Sequence, residues 1–133
     1  MTVDPTLLAN LMCSRLCHDL LSPVGGMTNG IELLQDETDP GMREQCIELL
    51  AHGARRTATK LRFFRLAFGA AGGFNANLPV AEVRELIDAL AAEGRDIAVE
   101  WTLGVDSLPK AAVKVLLNFA LFAIEALPRG GTI

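Results

Sequence analysis

A histidine followed at once by an acid, with a proline five residues on, stands near the start of the chain as His18, Asp19 and Pro23. Histidine suits transient phosphoryl transfer, because a neutral ring nitrogen attacks phosphorus and later leaves. A neighbouring carboxylate such as Asp19 holds the other ring N–H and fixes the tautomer. Inside a helix, Pro23 removes one hydrogen bond, leaving the carbonyl of Asp19 without its usual donor. Gly25, Gly26 and Gly30 lie in the same stretch, and each disfavours helix by about 1 kcal/mol relative to alanine. A segment that tolerates this much local weakness is accounted for by a bend at Pro23 and a bare surface for close approach.

The element that must carry these residues is a long helix over residues 6–36. Asp4-Pro5 is a helix start by type, with proline in the first turn. Cys13, Cys17, Leu20, Val24, Met27, Ile31 and Leu34 step by alternating fours and threes, which predicts a buried stripe of bundle type. Taking Leu20 as its centre, His18 lies about 160° away and faces solvent. Ser22, Gly25 and Asn29 share that outward face, and with Arg15 and Gly26 they are the candidate residues for docking a partner.

Residues 37–41 are a turn by composition, followed by a second helix over about 42–70. Its stripe is Ile47, Leu50, Ala54, Thr57, Leu61, Phe64 and Phe68. Two long helices joined by a short loop make an antiparallel hairpin, which cannot enclose apolar stripes on both sides. A second copy would complete a four-helix bundle, so the pattern predicts a homodimer. Between residues 49 and 81 the chain has Arg55, Arg56, Lys60, Arg62 and Arg65 and no acid. Such a run is either a solvated face or a surface for an acidic partner. Phe63 and Phe64 read as core or dimer packing, the alternative being an exposed Phe63 that contacts the partner.

The hairpin domain spans residues 1–71, a Gly/Asn/Pro linker spans 72–79, and an α/β unit spans 80–133. In that unit the pattern predicts helices over 80–93 and 110–127, a turn at 94–96, and a strand over 97–103. Thr132-Ile133 reads as the start of another strand, so the expected unit is incomplete. The fold class is therefore mainly α followed by α/β. A net charge of −4 argues against general nucleic-acid binding. No apolar run is long enough for a membrane span. Three cysteines, Cys13, Cys17 and Cys46, cannot close a disulfide set, which points to the reducing cytoplasm. Cys13, Cys17 and His18 are not a metal site on this reading, since the cysteines belong to the stripe and His18 faces away. His52, the other histidine, also faces outward, but no adjacent acid or following proline accompanies it.

The string Leu16-Cys17-His18-Asp19-Leu20-Leu21-Ser22-Pro23 resembles the H-box of sensor histidine kinases. The longer run from Cys13 to Leu34, together with Leu61 to Gly69, is similar to the ChpT-type histidine phosphotransferases of alphaproteobacteria. That resemblance implies a homodimer with a kinase-like dimerisation bundle and a C-terminal fold like the kinase ATP-binding domain. It implies His18 as phosphoacceptor and Asp19 as its helper. The phosphoryl group would pass from the receiver domain of a hybrid histidine kinase to response-regulator aspartates in cell-cycle control. No cofactor is expected on the chain itself; Mg²⁺ would sit on the partner receiver domain. The segment from Leu116 to Ile124 resembles the kinase N-box, but Phe122 stands where active kinases have a Mg²⁺-binding asparagine. A phenyl ring cannot ligate a hard cation, so neither ATP binding nor autophosphorylation is expected. The alternative is a non-catalytic, degenerate kinase-like module that binds a regulator without phosphotransfer.

Overall fold

The computed structural model describes residues 4–69, 76–94 and 96–133. Their contacts divide the chain into two units, Met1–Lys60 and Leu61–Ile133, with the division inside the second helix. Among the described residues there are four helices and two small two-stranded sheets.

The first unit is a helical hairpin. Helix α1 spans Pro5–Asp36 and α2 spans Pro40–Phe68. Asp4 caps α1 by accepting from the Thr6 N–H at 3.0 Å, and Pro5 occupies the first turn, where a missing N–H costs nothing. The connection is short because side chains satisfy both helix ends. Glu37 Oε1 accepts from the backbone of Thr38 and Asp39, each at 2.9 Å, and Asp39 Oδ2 accepts from Met42 N at 3.1 Å. Arg43 Nη1 donates to the carbonyls of Leu34 at 2.9 Å and Glu37 at 2.8 Å, capping the last turn of α1.

The seam between the two helices differs from the predicted stripe by one position at alternate steps. Pro23 and Gly30 are buried, with Leu16, Leu20, Met27 and Leu34 half-buried, while Cys13, Cys17, Val24 and Ile31 are exposed. Cys13 and Cys17, expected in the buried stripe of a bundle, are exposed in the single chain, and Cys46 is buried. The reason is size. A β-carbon on Gly30 would stand 3.1 Å from Leu50 Cδ2, and one on Gly53 2.7 Å from Met27 Cγ. Small residues let the helices close together, whereas the hydrophobic pattern gave Pro23 and Gly30 no weight. On α2, Ile47 and Ala54 are likewise exposed, while Leu50, Gly53 and Thr57 face inward.

The second unit begins with the last turns of α2. Phe63, Phe64 and Ala67 are buried there, which places Phe63 in the core rather than on a partner-facing surface. Strand β1 (Asn77–Pro79) pairs antiparallel with β3 (Ser107–Pro109), and each leads directly into a helix, α3 (Val80–Ala91) or α4 (Lys110–Ala126). Neither helix has a capping side chain; instead Val80 N donates to Asp106 O and Lys110 N to Ala76 O. Val83, Leu86 and Ile87 from α3 and Val113 and Leu117 from α4 fill the core with Phe63. Of the expected 72–79 linker, residues 72–75 lie outside the described residues and Asn77–Pro79 are strand.

The expected strand over 97–103 shrinks to β2 (Ile97–Ala98), parallel to β4 (Gly131–Thr132). Backbone bonds from Ile133 N to Ala98 O and from Glu100 N to Ile133 O continue the pairing as far as Glu100. Beyond it Trp101 turns to α3, where Nε1 donates to Asp88 at 3.1 Å and Arg84 stacks on the ring at 5.6 Å. Gly130 (φ +84°) is required, because a β-carbon would collide with the Asp96 carbonyl.

Candidate functional site

His18 sits mid-way along α1 with 87% of its side chain exposed. It is held at one ring atom, Nδ1, which lies 3.3 Å from Asp19 Oδ1. That is a long hydrogen bond by ordinary geometry. Asp19 itself is far better anchored. Its side chain is only 20% exposed, and Oδ2 accepts from Arg15 Nε at 2.9 Å, one helical turn back. Arg15, expected among the docking residues, is thus engaged with Asp19.

The backbone of Asp19 has a further partner. Its carbonyl, the one deprived of a donor by Pro23, accepts from Lys60 Nζ at 3.4 Å across the hairpin. Sequence reading identified the deprived carbonyl but not Lys60, because the register of α2 against α1 is written in no local motif. Helix α1 continues through Pro23 to Asp36.

Ser22, Gly25, Gly26 and Asn29 are all exposed on α1. A β-carbon on Gly25 or Gly26 would meet nothing within 4 Å. These two glycines leave open surface beside His18, whereas Gly30 is a packing glycine. His52 is exposed on α2, in a shallow depression with Gln45, Glu48, Leu49 and Arg55. The basic run is partly spent within the protein: Lys60 serves Asp19, and Arg62 pairs with Glu82 at 4.0 Å and Glu85 at 3.8 Å on α3.

In the C-terminal unit Asn118 Nδ2 donates to Lys114 O at 2.8 Å and Ala67 O at 3.4 Å, and Lys114 Nζ donates to Gly69 O at 2.6 Å. Both side chains cap the end of α2. Phe122 projects to the surface at 65% exposure. Among the described residues, no helix is long and apolar enough to cross a membrane.

Residues 80–133 match the family described as histidine phosphotransferase C-terminal domain. The likeness extends through the hairpin: the chain is 36% identical over 126 residues to the protein phosphotransferase ChpT of Brucella abortus (strain 2308), covering 95% of this chain and 58% of that relative. A bacterial phosphotransferase solved at 1.7 Å superposes with a TM-score of 0.76 at 36% identity, over 99% of this chain and 61% of the other. The ChpT-type resemblance carried by the H-box string therefore holds over nearly the whole chain, which spans about three-fifths of these relatives. The phosphotransferase C-terminal domain is the part carrying Asn118 and Phe122, and the hairpin before it carries His18.

Proposed function

We propose that this chain is a histidine phosphotransferase in which His18 relays a phosphoryl group from the receiver domain of a hybrid histidine kinase to response-regulator aspartates. The observation that carries this reading is His18 itself, exposed, with Nδ1 against the Asp19 carboxylate, in a chain similar to phosphotransferases along nearly its whole length. An ionised carboxylate only accepts, so Nδ1 donates to it and Nε2 keeps its lone pair. Nε2 attacks the phosphorus of an aspartyl phosphate on the first receiver. The N–P bond forms as the acyl P–O bond breaks, and the electron pair leaves with the receiver carboxylate. The ring then carries a positive charge with its Nδ1 proton held by Asp19. Attack by the second receiver's aspartate on phosphorus breaks the N–P bond and returns neutral imidazole. Mg²⁺ on the receiver domain supplies most of the charge neutralisation. Ser22, Gly25, Gly26 and Asn29 form the docking surface.

The working form is a homodimer with a four-helix bundle. Cys13, Cys17, Val24 and Ile31 on α1 and Ile47 on α2, exposed in one chain, match the predicted stripes, and a second copy covers them. The C-terminal unit is a degenerate relative of the kinase ATP-binding fold and binds no nucleotide. Support comes from Phe122 at the Mg²⁺-binding position and from Asn118, whose amide is engaged with the end of α2. The setting is the cytoplasm, where receiver partners reside and unpaired cysteines are stable. The link to cell-cycle control follows from the ChpT likeness.

The test is transfer of radiolabelled phosphate from a phosphorylated hybrid-kinase receiver to wild type, His18→Ala and His52→Ala. Acid-labile label is expected on wild type and His52→Ala and absent from His18→Ala. A folded wild-type protein that takes no label sinks the transferase reading and leaves a regulator-binding module.

A further inference from the structure

We propose that Lys60 is a positioning residue for His18, acting through Asp19, an inference that rests on the phosphotransfer reading above. Pro23 is buried in the hairpin seam and offers no N–H to Asp19 O. A carbonyl in that position needs another donor, because a half-buried backbone acceptor without one is costly. Lys60 Nζ provides it at 3.4 Å from a helix 41 residues away. The contact is charge-assisted, and it fixes the peptide of Asp19 rather than its carboxylate.

Asp19 is thereby held at two ends by two cations. Arg15 holds the carboxylate at 2.9 Å and Lys60 the carbonyl, while the carboxylate's other oxygen meets His18 Nδ1. The ring of an 87% exposed histidine is otherwise free to rotate, and a 3.3 Å bond orients it only while Asp19 stays in place. Lys60 also bears on charge. Phosphorylation adds a dianionic group to a ring beside a carboxylate, and like charges at that distance repel. A cation on each end of Asp19 offsets that repulsion. Proline at position 23 and lysine at position 60 thus form one device: the first vacates an acceptor, and the second uses it to tie the histidine's turn to α2.

The test compares wild type, Lys60→Met and Lys60→Arg as intact dimers, with two readouts. The first is the single-turnover rate of transfer from a phosphorylated receiver domain. The second is the ¹⁵N spectrum of the His18 ring, which reports the tautomer without any transfer. Lys60→Met is expected to slow transfer by about tenfold, the usual scale for losing orientation of a reacting group by a fraction of an ångström. It is also expected to move the ring nitrogens towards the averaged tautomer shifts of an unheld imidazole. Lys60→Arg, which keeps a charged donor, is expected to restore most of both. Wild-type rates and an unchanged ring spectrum in Lys60→Met overturn the proposal, as does slowing that merely tracks loss of folded protein while the ring spectrum stays put. Should wild type take no label at all, the transferase reading fails, and the ring spectrum still decides whether Lys60 positions His18.

Discussion

Replacing Gly25 by alanine separates what the exposed glycines do for the helix from what they do for a partner. Gly25 lies seven residues beyond His18 in the interior of α1, on an exposed face, and a β-carbon there meets nothing within 4 Å. Alanine is favoured over glycine in a helix interior by about 1 kcal/mol, and here no clash offsets that gain. For a chain of this size that corresponds to a rise in melting temperature of roughly 3–6 °C. Gly26, equally open, gives a second instance, while Gly30→Ala is the contrast. Its β-carbon would stand 3.1 Å from Leu50 Cδ2 and 3.4 Å from Leu50 Cγ, so the same propensity gain is consumed by overpacking. The assay is thermal and urea unfolding of all three variants, with transfer from a phosphorylated receiver followed in parallel. Gly25→Ala is expected to melt higher and, if the proposed docking surface includes this position, to transfer more slowly at limiting receiver. A melting temperature at or below wild type would refute the reasoning, since it would mean that something packs on Gly25. A higher melting temperature with an unchanged rate would refute the docking role alone.

Three further outcomes follow from the same structure. Gly130→Ala forces a positive-φ residue against the Asp96 carbonyl and should cost on the order of 2–3 kcal/mol, read as an early loss of the C-terminal unit in denaturant. Arg43→Ala removes two backbone caps from the end of α1; the group is exposed, so about 1 kcal/mol is expected, measured as a lower urea midpoint at unchanged slope. Ile31→Glu places a charge on an exposed apolar position of α1; if the proposed dimer forms through this face, the variant should sediment as folded monomers with helical content retained. Persistence of the dimer in Ile31→Glu would move the interface to another face.

The parts of this fold that sequence disclosed are those decided within a few residues. The start of α1 at Asp4-Pro5, a turn within 37–41 (two residues shorter in the structure, where α2 begins at Pro40) and the helices beginning at Val80 and Lys110 each follow from a cap, a proline or a change of period. The exposed placement of His18 followed from a wheel centred on Leu20, and a half-position error in the seam did not alter it, because 160° leaves ample margin. The pairing of α1 with α2 as a hairpin was legible, but the register between them was not. Cys13, Cys17, Val24 and Ile31 belong to the expected bundle stripe but are exposed in the single chain, because hydrophobic period cannot tell which of two neighbouring faces meets the adjacent helix. In the structure Gly30 and Gly53 decide that, by being small. The strand expected over 97–103 is only Ile97–Ala98 in the structure, since β-branched and aromatic residues supply propensity without setting a strand's length.

The histidine site shows where that boundary falls. The ring's contact with Asp19 joins adjacent residues on one helix, and the His-Asp motif captures it, while Arg15, one turn back, holds Asp19 in turn. The group that steadies the arrangement from outside, Lys60, sits in a basic run that composition assigns to solvent or to a partner. Within that run Lys60 is engaged with the Asp19 carbonyl and Arg62 with the acids of α3. The clue was present in the sequence, though in a form that only pairing could complete. A buried proline in a helix leaves a carbonyl that must find a donor, and the donor must be long, flexible and on the facing helix. Lysine meets those demands better than any residue with a shorter reach. A proline in the middle of an otherwise regular helix, next to a reactive residue, therefore directs attention to the cations of the opposing helix as well as to the bend the proline was expected to cause.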